Sequence, residues 1–124
     1  MEFSESLKKN RDFQFVYRNG KSYGNKYLVM YVYRKALGEV KGAERNRIGI
    51  SVSKKVGNSV VRHHLTRLIR ESYRLNEKKF VGGLDMIVIA RPGAKERNFF
   101  EIESALLHLA KIHGVCVRES EKIK

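Results

Sequence analysis

The chain has 124 residues with one cysteine and one proline, which excludes a disulfide framework, a cysteine-based zinc site and a proline-rich or collagenous architecture. Lys and Arg number 26 against 13 Asp and Glu, a net charge of +13, while 42% of residues are apolar, enough for a packed core and too many for a disordered tail. The length suits a single domain over 1–124 that buries roughly two-thirds of its unfolded surface.

In chain order, residues 10–19 read as a first helix. Ser4 or Ser6 could open it, but Asn10 is the better cap because Phe13, Val16 and Tyr17 follow at helical spacing. Gly20 stands where a left-handed residue closes a helix. A short strand near 21–25 is an optional addition. Residues 27–34 alternate Leu28, Met30 and Val32 with Tyr27, Val29, Tyr31 and Tyr33, a strand with one aliphatic and one aromatic face. Residues 36–46 hold two glycines and mixed charges and read as a loop. Residues 47–53 place Ile48, Ile50 and Val52 on one face and Gly49, Ser51 and Ser53 on the other, a thin surface that a neighbour can approach closely. These two strands are expected to pair antiparallel.

The strongest helix signal covers residues 59–75, capped by Asn58 or Ser59, with Val61, Leu65, Leu68, Ile69 and Ser72 as its buried stripe. Residues 85–90 form a continuous apolar run suited to a central strand, ended by Arg91-Pro92-Gly93. Asn98 and Glu101 form a cap pair before Ile102, Leu106 and Leu109, and Gly114 stops that last helix. The order α-β-β-α-β-α defines an α+β fold, a two-layer sandwich.

Residues 21–79 hold 15 basic and 4 acidic side chains, so +11 of the +13 is concentrated there. Such a field attracts a polyanion and repels other copies of the chain, so a monomer is expected in the protein-only state. Nucleic acid fits better than a membrane surface, because the basic helix carries neither Trp nor Phe. No apolar run of about 18 residues occurs, and the first twenty residues are charged throughout, so a soluble, cytoplasmic protein is expected. On the helix at 59–75, His63, Arg67, Arg70 and Arg74 share an arc of about 60° at about 100° per residue. Arg62 stands about 80° outside it, Glu71 at its margin, and the aliphatic residues lie on the other side. Lys54, Lys55 and Asn58 precede it directly. A cationic ridge of Arg forks suits phosphate oxygens.

Catalytic signals are absent. His63 and His64 are adjacent and diverge on a helix; His108 and His113 lack carboxylates at metal-ligand spacing; Cys116 sits in an apolar run as a packing residue. No catalytic residue and no metal site of the chain's own are expected. The aromatic residues Phe13, Tyr17, Tyr31 and Tyr33, with Tyr23 and Tyr27, are either core or a stacking surface for unpaired bases, and the residues leave both readings open.

The stretch Ser53-Lys54-Lys55-Val56-Gly57-Asn58, Arg62 and Arg67-Leu68-Ile69-Arg70 resembles the protein subunit of bacterial ribonuclease P. Leu7-Lys8-Lys9-Asn10 with Asp12-Phe13 and Gly20, the strand at 47–52, and the strand Ile87-Val88-Ile89-Ala90-Arg91 agree in order. The match spans about residues 7–115 and leaves 116–124 as a tail. The resemblance implies a ribonucleoprotein enzyme whose RNA, with magnesium ions, removes the 5′ leader of precursor tRNA. It also implies a fold similar to a small-subunit ribosomal protein domain, with a left-handed β-α-β crossover. Lys54, Lys55, Asn58, Arg62, His63, His64, Arg67, Arg70 and Arg74 are then expected to face the catalytic RNA. Phe13, Tyr17, Tyr31 and Tyr33, with Arg62, His63 and Arg67, are expected to hold the single-stranded leader. Magnesium is expected to enter through RNA and substrate.

One departure stands out. His63 and His64 occupy positions where the family usually has Asn and Arg, and Thr66 stands where Lys is common. RNA affinity is therefore expected to rise below about pH 6.5, where imidazoles protonate; equal affinity at pH 6 and pH 8, at fixed salt and magnesium, contradicts this. The alternative is a ribosomal or ribosome-assembly RNA-binding protein of similar fold. A DNA regulator is disfavoured because no short helix precedes the basic one at turn distance.

Overall fold

The computed structural model describes residues 4–35 and 45–117. The loop expected at 36–46 therefore lies almost wholly outside the described residues, as does most of the 116–124 tail. Five strands and three α-helices follow in the order β1 (Ser4–Ser6), α1 (Asn10–Asn19), β2 (Lys21–Gly24), β3 (Leu28–Arg34), β4 (Asn46–Ser51), α2 (Ser59–Asn76), β5 (Leu84–Ala90) and α3 (Phe99–His113). The fold is α+β, and the optional strand near 21–25 is present as β2.

The sheet order is β1-β4-β5-β3-β2. The expected pairing of the strands at 27–34 and 47–53 does not form. β5 lies between them, antiparallel to β3 from Leu28↔Ala90 to Arg34↔Leu84 and parallel to β4 from Arg47↔Asp85 to Ser51↔Ile89. The physical reason lies in β5 itself: six of its seven residues are buried, and only a central place removes both faces of an apolar strand from water. β4, α2 and β5 thus form a parallel β-α-β unit.

Residues 4–6 are strand, not a helix start. β1 runs parallel to β4, with Ser4 opposite Asn46, and the Ser4 hydroxyl shares a 2.7 Å hydrogen bond with the buried Tyr73 hydroxyl. α1 begins at Asn10, but its cap is Lys9, in extended backbone and with no side-chain bond to the helix. Gly20 is extended rather than left-handed (φ −84°). It is required for space: a Cβ there would stand 2.8 Å from the Val16 carbonyl oxygen and 2.9 Å from that of Val32. Elsewhere the end signals hold. Asn98 and Glu101 form a reciprocal capping box, and Gly114 closes α3 at φ 71°.

Two apolar clusters sit on opposite faces of the sheet. Leu28, Met30, Val32, Ile48, Met86 and Val88 meet Leu65, Ile69 and Tyr73 of α2 and Ile102, Leu106 and Leu109 of α3. On the other face Ile87 meets Leu7 and Val16, flanked by Phe13, Tyr17, Tyr31, Tyr33 and Ile89. The expected sandwich describes the first face; α1 adds a partial layer on the second.

Candidate RNA interface

The backbone leaving β4 delivers Ser53, Lys54 and Lys55 in the exposed approach to α2. Asn58 starts α2 by accepting a 3.0 Å hydrogen bond from the Val61 amide through Oδ1. Leu65, Ile69, Ser72, Tyr73 and Asn76 are buried along its inner stripe. Tyr73, missing from the expected stripe, is fully buried, and burial raises its hydroxyl pKa against the opposing bonds from Ser4 and Asn46.

The opposite side of α2 is cationic. His63, His64, Arg67, Arg70 and Arg74 are exposed, and Arg62 is half-buried. Arg74 differs from the others. It forms a two-pronged ion pair with Glu71, which lowers the Glu71 pKa and raises that of Arg74. Arg70, Arg67 and Arg62, with Lys54 and Lys55, make no ion pair with a described residue. Arg62 Nε is shielded from solvent and has no hydrogen-bond partner among the described residues. A shielded, unpartnered donor is costly in a folded protein unless an acceptor arrives from outside.

The second group of predicted residues lies on the other face of the sheet. Tyr17 meets Phe13 at 6.3 Å and Tyr31 edge-on at 5.0 Å between ring centroids. Burial, then the neighbouring Tyr31, raises the Tyr17 pKa. Tyr33 does not join this row. It packs edge-on against Phe15 at 4.9 Å, and Phe15 projects about 200° around α1 from Phe13. Val16 seats α1 on the sheet, with Phe13, Tyr17 and Tyr31 on one flank and Phe15 and Tyr33 on the other. Phe15 was not among the predicted residues. Its signal was a third aromatic ring on a ten-residue helix, too many for one buried stripe.

The thin face foreseen at Gly49 is occupied by this chain's own Phe13: a Cβ on Gly49 would stand 2.5 Å from the Phe13 ring. Beside it, Arg47 donates to Asp85 at 2.9 and 2.7 Å and to Asp12 of α1 at 3.2 Å. The Asp85 hydrogen bond is the main reason the Arg47 pKa is raised. Lys35 lies 3.5 Å from the same Asp85. This network fixes the start of α1, and hence Phe13, over the sheet. No hydrogen bond or ring contact joins Arg62, His63 or Arg67 to the aromatic row. What connects the two is the chain itself, since Gly49 under Phe13 is only five residues before Lys54.

Among the described residues, no three His, Cys, Asp or Glu side chains are grouped to hold a metal ion, and no helix is long and apolar enough to cross a membrane. Cys116 is half-buried, in a backbone bridge with Phe80. The arrangement presents a cationic helix face on one side and aromatic rings on the other.

The ribonuclease P family model matches residues 1–114. The chain belongs to the ribonuclease P protein family. It is 59% identical over 112 residues to the ribonuclease P protein component of Lachnoclostridium phytofermentans, covering 90% of this chain and 91% of that one. Among solved structures, the Staphylococcus aureus RNase P protein superposes with a TM-score of 0.77 at 39% identity, covering 89% of this chain and 95% of that one. The Thermotoga maritima protein gives 0.75 at 30%, covering 86% and 96%. A ribonuclease P protein is a subunit of a tRNA-processing ribonucleoprotein, whose partners are the ribonuclease P RNA and precursor tRNA. The ribosomal alternative is not favoured.

Proposed function

We propose that this ribonuclease P protein presents Lys54, Lys55, Arg62, His63, His64, Arg67 and Arg70 to RNA phosphates and holds the single-stranded 5′ leader along Phe13, Tyr17 and Tyr31. The observation that carries the reading is the contrast among arginines. On α2 itself Arg74 pairs with Glu71, as Arg45, Arg47 and Arg97 pair with carboxylates elsewhere. By contrast, Arg62, Arg67 and Arg70, with Lys54 and Lys55, make no ion pair with a described residue, and among them lies a shielded Arg62 Nε that no described residue partners. Arg62, His63 and Arg67 are assigned to the leader as well, because α2 starts a few residues after the strand that supports Phe13. Asn58 contributes through its free amide N–H groups, since its carbonyl oxygen is spent on the cap. Arg74 contributes less, its charge being shared with Glu71. Leader binding through backbone charge and stacking is largely independent of base sequence.

Magnesium ions held by the RNA and the substrate supply the activation for phosphodiester hydrolysis. The part of this chain is to lower the repulsion between two polyanions and to bind the leader. The RNA-free chain is read as monomeric, on its +13 charge, and as cytoplasmic, as expected of a bacterial member of its family. Single-turnover cleavage of a precursor tRNA by a bacterial ribonuclease P RNA, at low magnesium, tests the proposal. The expected result is stimulation by the protein that shrinks when the leader is cut to one or two nucleotides. Stimulation independent of leader length overturns the groove; it leaves the α2 assignment to be judged by Arg67→Ala, which should weaken binding to the RNA subunit.

A further inference from the structure

The far flank of α1 opens into a concavity of about 370 Å³, lined by Asn19, Lys21, Tyr23, Tyr33, Arg34 and His113, with Val32 at its floor. Lys21 and Tyr23 come from the edge strand β2, Tyr33 and Arg34 from β3, and His113 from the last turn of α3. No acidic side chain of a described residue lines it. Arg34 donates to the carbonyl oxygens of His113 and Gly114 at 3.2 and 3.0 Å, and neither Arg34 nor Lys21 pairs with a described carboxylate. His113 Nε2 donates to the Met30 carbonyl at 2.8 Å, and its ring stands edge-on to Tyr23 at 4.8 Å. Three basic side chains and two tyrosine rings thus meet around one hollow that the aromatic row of Phe13, Tyr17 and Tyr31 does not reach.

We infer that this hollow is a second binding site, for a nucleoside phosphate. Its basic side chains suit phosphate oxygens. Its rings suit a base. Its volume falls in the range of small-molecule sites, roughly 300–1,000 Å³, and has room for more than a bare anion. Burial holds the His113 pKa below its ordinary value, and the positive charges of Arg34 and Lys21 lower it further, against the Met30 bond. The groups facing that imidazole are Tyr23 and Lys21 from β2, Arg34 from β3 and Asn19 from α1. A bound phosphate offsets their charge and restores protonation, which strengthens the contact. The nucleotide comes either from RNA held by the enzyme or from the free pool. The site shares no residue with the leader proposal, so each can fail alone.

The test uses the full chain, followed residue by residue by NMR at fixed ionic strength. Adenosine 5′-monophosphate, adenosine and inorganic phosphate are titrated separately. The expected result is that the monophosphate binds more tightly than either part, shifts the amides of Lys21, Tyr23 and Arg34, and raises the His113 pKa. Lys21→Ala should weaken it about tenfold, the scale of one lost charge-assisted hydrogen bond. Tyr23→Ala should abolish its advantage over inorganic phosphate. Both residues are exposed, so both variants should keep the fold; Arg34 is left intact because it closes α3. Shifts confined to the α2 ridge, or equal binding of monophosphate and phosphate that ignores Tyr23→Ala, overturn the site. In the holoenzyme, displacement of the monophosphate by precursor tRNA assigns the site to an RNA nucleotide, and persistence assigns it to a free one; loss of Phe13-dependent cleavage has no bearing on either.

Discussion

Individual side chains set the shape of the aromatic groove, and two of them make sharp tests. Gly49 has Phe13 over it with no room for a methyl group. Gly49→Ala should cost about 1–3 kcal/mol, as overpacking does, and should raise KM for substrates with long leaders more than for those with short ones. Urea denaturation and leader-length kinetics on the same variant measure both. Tyr73 is the second. Its hydroxyl bonds Ser4 at 2.7 Å and receives the Asn46 amide at 3.3 Å. Tyr73→Phe should cost about 1–3 kcal/mol by leaving buried polar partners unsatisfied, read as a lower denaturation midpoint at unchanged m-value. At this scale the end signals of helices were legible: Asn58, Asn98 and Gly114 act locally, through bonds to their own helix. Tyr73 was not, because its hydroxyl is satisfied by residues 27 and 69 positions away. A pattern that places tyrosine near arginine cannot announce such partners.

Among elements, the lesson is about neighbours. Each main strand and helix was legible from its own periodicity, yet the pairing of β3 with β4 was misassigned. Sequence adjacency favours a hairpin across residues 36–46, but the most apolar strand, β5, takes the centre and splits them. β1 was missed because three polar residues carry no strand signal; it exists through its parallel edge with β4. α1 is likewise held from outside, by Arg47 bridging Asp12 and Asp85. Arg47→Met should cost about 2 kcal/mol, less than a fully buried pair because the Arg47 side chain is 32% exposed. With Asp12 released, leader affinity should fall while affinity for the RNA subunit holds, a split that equilibrium binding with and without leader resolves. α3 carries a pH test. His113 is depressed in the folded chain, so below its ordinary value near 6.5 the unfolded state binds more protons. The stability it contributes is full above that pH and is lost as pH falls through the range below it. Thermal melts from pH 7.5 to 5 should show a decline in the parent that His113→Gln flattens; parallel curves contradict the assignment.

For the molecule as a whole, charge and function were legible together, because a net +13 on 124 residues needs a polyanion and the motif around α2 names which one. Sequence alone could not separate cations that are already neutralised from those that are free. Arg74 belongs to the same helical arc as Arg67 and Arg70, yet Glu71 claims it. This distinction fixes a number for the salt response. Lys54, Lys55, Arg62, Arg67 and Arg70 are the ridge cations without a carboxylate partner among the described residues. If each neutralises one phosphate, log affinity for RNA should fall against log salt with a slope of about −3.5, at about −0.7 per contact. Arg67→Ala should bring that slope closer to zero by about 0.7. Arg74→Ala should change it less, because the charge it removes is matched by the Glu71 carboxylate it sets free. Filter binding to the ribonuclease P RNA across a salt series measures all three. Equal slope changes for Arg67→Ala and Arg74→Ala would show that RNA breaks the Glu71 pair, which returns Arg74 to the interface that the sequence assigned it.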